Sequence, residues 1–236
     1  MTELATVDAA HGALSPVVDE RWLAVEWPEP QSVLSWAVVG GGRARARRVV
    51  WRRVGERELR PPVDVRRFLR AEMTSAGYTD GVGLLTARRL DTAVDVTRHF
   101  GVLSARCVAT VGLGNALAAG DPPGSAGRIG TINLVCHLSA PLSEEALVEA
   151  LALASEARTA AVLASGVRSG MTGVPATGTG TDCLVIAAPE ARRGAIYAGK
   201  HTAIGHLVGA AVCEAITRGA ALWLSEQVQG RQAVSR

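Results

Sequence analysis

With 236 residues, 48% of them hydrophobic and 20% charged, and a net charge of +3, the chain can bury a substantial core and is neither disordered, collagenous nor a repeat polymer. No stretch approaches the roughly 18 uninterrupted apolar residues of a membrane span, and the most apolar late segment, 204–224, contains His206, Glu214 and Arg218. Glu3 and Asp8, with no basic segment ahead of an apolar one, argue against a secretory signal. Cys107, Cys136, Cys183 and Cys213 stand 29, 47 and 30 positions apart without a CxxC pair, which suits neither a zinc module nor a disulfide framework. The expectation is a reduced, cytoplasmic protein without membrane contact.

In chain order, residues 1–20 are small, mildly polar and aperiodic, and are predicted to form a flexible arm. Arg21 to Trp27 and Val33 to Val39 read as two strands, the second stopped by Gly40-Gly41-Gly42, and Arg47 to Val54 as a third. After Pro61-Pro62, Val63 to Met73 has helical spacing, with Val65, Phe68 and Leu69 on one side. Gly81 to Ala87 is a short strand, and Ala93 to His99 and Leu103 to Val111 form a pair joined by a turn at Phe100-Gly101. Ala118 to Gly127 is a loop by composition; Thr131 to Leu138 is a buried strand interrupted by Asn133.

Ser143 is placed to cap a long helix reaching Ser165, with Glu144 and Glu145 in the first turn, where the helix dipole favours anions. A Gly/Thr-rich stretch, 169–180, precedes a last strand, Asp182 to Ala188, and a last helix from Thr202 to about Gln227 pairs Glu214 with Arg218 at i,i+4. Strands dominate the first 140 residues and long helices the rest. This predicts an α+β fold: a mixed, largely antiparallel sheet with two long C-terminal helices packed on it. Residues 21–228 read as one domain, followed by a tail at 229–236. Only nine aromatics are present, so the core must be built of Val, Leu and Ala.

Of the 25 cationic residues, 24 are arginine and one, Lys200, is lysine. Between Arg43 and Arg70 there are 11 arginines against Glu56, Glu58 and Asp64, a local charge of +8, leaving −5 for the remainder. The patch lacks interleaved aromatics for base stacking, so it reads as a solvated strand face and no nucleic-acid partner is expected. Lysine carries the opposite message: where arginine replaces it almost everywhere, the one that stays is kept for its compact ammonium.

Polar residues interrupt apolar or glycine-rich strings at four places. These are Val111-Gly-Leu-Gly-Asn115, Gly130-Thr-Ile-Asn133, Ser155-Glu-Ala-Arg-Thr159, and the pair Thr177-Gly-Thr-Gly-Thr-Asp182 and Gly199-Lys-His-Thr202. Glycines let a backbone approach a ligand, and the side chains beside them are those that amide hydrolysis requires. No HExxH or clustered Cys/His spacing exists, so no metal site is expected. The Gly/Thr string completes no phosphate loop.

Together the last three strings, with Gly205 and Gly209 after Thr202, resemble the adenosylcobinamide amidohydrolase (CbiZ) family over about residues 33–224. The resemblance implies an enzyme of corrinoid salvage that hydrolyses the amide between aminopropanol and the corrin ring of adenosylcobinamide, giving adenosylcobyric acid. It implies no cofactor held by the protein, the cobalt belonging to the substrate, and a small-molecule corrinoid as partner; homo-oligomerisation is compatible with it. The candidate catalytic residues are Asp182 or Glu156 as general base, Lys200 at the oxyanion or paired with Glu156, and His201 as proton donor to the leaving amine or ligand to the substrate's cobalt. Asn115, Thr131, Asn133, Arg158, Thr177, Thr179, Thr181 and Thr202 are the candidate substrate-binding residues. Each has a plainer reading: Asp182 as a turn cap, Thr202 as a helix N-cap, Glu156 as a surface charge, the asparagines as stitches between loops. Two other functions are carried forward. One is a corrinoid-binding or carrier protein without catalysis; the other is a self-cleaving amidase in which Thr181, released after Gly180, is the nucleophile.

Overall fold

The computed structural model describes residues 16–55, 58–60, 62–124 and 129–234. The expected arm before residue 16 and the end of the expected tail lie outside the described residues. In chain order the elements are β1 (Val17–Val18), β2 (Trp22–Ser35), β3 (Gly42–Arg53), α1 (Val65–Ser75), β4 (Gly81–Thr86), β5 (Val94–Phe100), β6 (Leu103–Val111), β7 (Ala116–Leu117), β8 (Ile132–Leu138), α2 (Glu144–Ala164), β9 (Gly178–Thr179), β10 (Cys183–Pro189) and α3 (Ala203–Val234). The main sheet runs β4-β3-β2-β10-β8-β6-β5, with β1 added to β2, and β7 pairs with β9 apart from it.

The sheet is mixed and largely antiparallel, as predicted. Its parallel pairs are β3–β4 and β8–β10, and each is bridged by a helix because a parallel return needs a crossover. The chain thus builds two ββαβ units, β2-β3-α1-β4 and β6-β8-α2-β10, joined where β10 pairs with β2 from Val185↔Ser35 to Pro189↔Gln31.

The two strands expected between Arg21 and Val39 are two arms of one. Pro28 and Pro30 lack the N–H a ladder needs, and the β2–β3 register shifts between Glu26 and Gln31, where they sit. The bend gives one edge of β2 two partners, β1 at Leu23 and Ala24 and β10 beyond Gln31. The sheet curls far enough for β4 to meet β8, where Asn133 Nδ2 donates to Leu85 O at 2.6 Å.

On the convex side, α2 and α3 lie on β10, β8, β6 and β5. Their buried faces are rich in alanine (Ala146, Ala150, Ala154, Ala157 and Ala161 on α2; Ala211, Ala215 and Ala220 on α3), so they approach closely. A Cβ on Gly219 would come within 2.5 Å of Val111, which shows how directly α3 rests on β6. Leu69 and Met73 of α1 pack on the other unit, and the concave side of the curl encloses Trp27, Trp51 and Val135. Asp64, Ser143 and Thr202 cap the three helices by accepting N–H groups of Arg67, Ala146 and Gly205. The last helix continues past Gln227 to Val234. By length and composition its segment Ala203–Gly230, which contains an 18-residue stretch of mean hydropathy 1.4, is apolar enough to cross a membrane, and its Leu207, Val208, Val212 and Ile216 are buried in the core.

The arginine-rich strand is a paired face more than a free basic one. Arg43 pairs with Glu144, Arg45 with Glu190 at 2.7 Å, and Arg48 with Glu26 at 2.7 Å. Arg52 is fully enclosed between Glu58 and Glu72, both at 2.8 Å.

Candidate functional site

The curl leaves a cavity of about 350 Å³ at its open end, where both units contribute. Val38, Val54, Leu85 and Ile129 give it apolar walls, and Thr86, Asn115, Thr131 and Thr181 supply its polar side chains. Among the described lining residues the one ionisable side chain is the Cys183 thiol, which burial pushes up to about 11. A second cavity of about 320 Å³ adjoins it, sharing Val54, Ala87, Ile129, Gly130 and Thr131 and adding Arg53, Arg88 and Trp223.

The ridge between the cavities is held by two crossed hydrogen bonds. Thr131 Oγ1 donates to Thr181 O at 2.8 Å, and Thr181 Oγ1 donates to Gly130 O at 3.1 Å, locking the starts of β8 and β10 together. Asn115 accepts Gly180 N–H through its carbonyl at 3.2 Å, while its buried Oδ1 has no hydrogen-bond partner. A Cβ on Gly130 would lie 2.6 Å from both the Gly114 and Asn115 nitrogens. Neither of those N–H groups donates to an acceptor among the described residues. Only glycine leaves these two donors open beside the ridge.

Behind the ridge, Asp182 is buried with every acceptor position filled. Its Oδ1 accepts from Ile132 N at 3.0 Å and from Thr179 Oγ1; its Oδ2 accepts from Thr179 N at 3.0 Å and pairs with Arg158 at 3.1 Å. Burial raises its pKa, against the opposing pull of the Arg158 guanidinium and the Thr179 hydroxyl. Arg158 also donates to Thr177 O at 2.6 Å, and Thr177 Oγ1 accepts Ala119 N–H at 2.8 Å. One carboxylate therefore ties α2, the β8 start and the β9–β10 turn together. Its main-chain carbonyl accepts the indole N–H of Trp36 at 2.5 Å, so the β2–β3 loop is fastened to the same point.

Asn133 is fully buried and spends its amide on Leu85 O, which makes it the stitch between the two ends of the curl. Lys200, His201 and Thr202 are not in the cavity lining. They stand at the end of the loop after β10, which runs beside α2, where Glu149 accepts Ala198 N–H at 2.6 Å. Lys200 pairs with Glu156 at 2.5 Å, both side chains exposed, and Thr202 is the N-cap of α3. The structure thus groups Asn115, Thr131, Thr181, Asp182, Arg158, Thr177 and Thr179 at one place, and Lys200, Glu156, His201 and Thr202 at another. Trp36, Val38, Thr86, Ile129 and Arg53 were not singled out by sequence reasoning; they come from loops and strand ends that only the curl brings together. Among the described residues no group of three or more His, Cys, Asp and Glu side chains is placed to hold a metal ion.

These features define an α+β domain with a cavity at the seam between two units. The matching family is adenosylcobinamide amidohydrolase, CbiZ, over residues 6–227, and the chain belongs to it. No curated protein matches the chain. Among solved structures, a beta-aminopeptidase from Burkholderia sp. is similar at 14% identity, covering 93% of this chain and 88% of that one, with a TM-score of 0.46. The PH0078 protein from Pyrococcus horikoshii OT3 is similar at 11% identity, covering 94% and 83%, with a TM-score of 0.45.

Proposed function

We propose that the chain hydrolyses the amide joining aminopropanol to the corrin ring of adenosylcobinamide, releasing adenosylcobyric acid for corrinoid salvage in the cytoplasm. The observation that carries this reading is the ridge of neutral hydrogen-bonding groups, Asn115, Gly130, Thr131 and Thr181, in a chain of this family. At about 350 Å³ the cavity lies at the small end of ligand pockets, roughly 300–1,000 Å³. It suits the aminopropanol arm; the macrocycle stays at the mouth. The scissile amide then lies over the ridge. The Gly114 and Asn115 N–H groups supply what an oxyanion needs: donors fixed in advance and not spent elsewhere. Asp182 and Arg158 position the ridge and do not touch the substrate. Lys200, Glu156 and His201 are outside this assignment.

One observation favours a covalent route over direct attack by water. A base is required to activate either nucleophile, yet the described lining offers none that ionises near neutrality. Cleavage before Thr181 would create one. Thr181 Oγ attacks the Gly180 carbonyl carbon, the C–N bond breaks as the Thr181 nitrogen takes the proton, and water hydrolyses the resulting ester to a Gly180 carboxylate. The new α-amine, with a pKa of about 7.7–8.0, then serves as base to Thr181 Oγ.

Incubation with adenosylcobinamide, followed by mass spectrometry of the corrinoid, tests the function: adenosylcobyric acid and free aminopropanol are expected. Tight binding with no product would make the chain a corrinoid carrier instead. Intact-mass analysis of the same protein separates the routes, since two pieces divided after Gly180 mark the covalent one and a single uncut, active chain marks attack by water.

A further inference from the structure

We infer that the second cavity is a carboxylate subsite, in which Arg53 receives the propionate that amide hydrolysis releases; the inference rests on the amidohydrolase reading. Along β3 the arginines are matched one by one to carboxylates: Arg43 to Glu144, Arg45 to Glu190, Arg47 to Glu29, Arg48 to Glu26 and Arg52 to Glu72. Arg53, the last of the strand, makes no ion pair within 4.0 Å among the described residues; it lines the second cavity and also a neighbouring one that holds Asp19, Glu20 and Asp91. The same lining includes Arg88, which gives Nη1 and Nη2 to Glu226 at 2.5 and 3.2 Å and keeps a buried Nε without a hydrogen-bond partner. One guanidinium without an ion pair and one partly spent one, beside the Trp223 ring, make a lining suited to an anion.

The position relates this subsite to the reaction. Gly130 and Thr131 belong to both cavities, so an acyl group cleaved over the ridge has the amine side in the first cavity and the acid side in the second. The amide is neutral and the product is an anion. A cation facing the acid side gains most of its attraction only after the bond has broken, so it tightens product more than substrate. Because Arg53 is exposed to solvent, the gain is that of a screened ion pair and fades with salt.

The test measures KM for adenosylcobinamide and the inhibition constant of adenosylcobyric acid for wild type, Arg53→Gln and Arg53→Lys, at low and high ionic strength. Arg53→Gln should raise the ratio of inhibition constant to KM at least about fivefold at low salt. Arg53→Lys should restore most of the difference, and high salt should erase it. An unchanged ratio in Arg53→Gln would overturn the subsite, as would a parallel rise of both constants, which a packing defect would cause. Failure of the wild type to hydrolyse adenosylcobinamide would remove the reading beneath it. Hydrolysis with an unchanged ratio would leave that reading in place and remove the subsite alone.

Discussion

The two ββαβ units share a topology and differ in what they bury. In β2-β3-α1-β4 the enclosed charge is a guanidinium: Arg52 is 3% exposed and is served by Glu58 and Glu72, which keep contact with water. In β6-β8-α2-β10 it is a carboxylate: Asp182 is 7% exposed and is served by Arg158, a hydroxyl and two backbone N–H groups. The first cluster joins a helix to a strand and its far sides are solvated. The second joins a helix, the start of a strand and a turn, and the cavity lies on top of it. Both clusters hold the chain together, but only the second fixes the ridge beside the cavity.

The comparison breaks most sharply at Asp182. Replacing it with Ala strands Arg158 and frees the Thr179 and Ile132 N–H groups; the expected loss is about 3–5 kcal/mol, and kcat/KM should fall by at least about 100-fold because the ridge shifts. Thermal unfolding and steady-state kinetics on one preparation check both. Full activity in a destabilised variant would make the two clusters equivalent. Glu72→Gln is the matched change in the other unit. Arg52 keeps Glu58, so the cost should be about 1–3 kcal/mol with kcat/KM within about twofold; a large kinetic loss there would give the Arg52 cluster the same role as the Asp182 cluster.

Lys200→Arg beside Arg45→Lys comes next. Each removes or reshapes one exposed ion pair, so stability should move by no more than about 0.5 kcal/mol in either. If Lys200→Arg alone depresses kcat/KM tenfold or more, the loop before α3 belongs to the site after all. The smallest effect concerns acid. Hydrogen bonds hold two loop carboxylates below their ordinary range: Glu58 through Gly55 N–H, and Asp121 through the Ser169 and Thr172 hydroxyls. A carboxyl lowered in the fold adds stability above its unfolded value, about 4.3 for Glu and 3.9 for Asp, and loses it as pH falls through the folded value. The protection factors of the Gly55 and Ala118 amides, exchange rates taken relative to the unfolded chain at the same pH, should therefore fall as the pH drops below about 4, in both units alike, while those within β10 stay high.

Much of the fold was legible because its signals are local. Gly101 at φ 60 closes the β5–β6 turn expected there, and Ser143 and Thr202 cap helices where their sequence neighbours suggested. β2 was misread as two strands because its prolines look like an end, and only the pairing with β3 on both sides of them shows a bulge. The partners of the arginine patch lie up to 145 positions away, so its neutralisation was invisible. The Gly/Thr string before Asp182 reads in sequence as the partner of Gly199–Thr202, one strand away; in the fold its hydrogen bonds run to Gly130, Thr131 and Ile132 instead. That Asp182 faces inward and Lys200 outward was not legible: sequence gives a residue's neighbours along the chain, and these roles depend on which end of the curl a loop reaches.

β10 is the last strand in the chain and lies between β2 and β8, near the middle of the sheet. Until it docks, each unit has an unpaired edge facing the other. Contacts between Ser35 and Val185 span most of the sequence, and such distant pairings are slow to form. During synthesis the first unit, complete at Thr86, must therefore wait with β2 exposed until β10 has been added, about 100 further residues and roughly 5–20 s at ordinary elongation rates. The ridge and its carboxylate assemble together in the closing step. A chain stopped before Asp182 would have most of its secondary structure and no site.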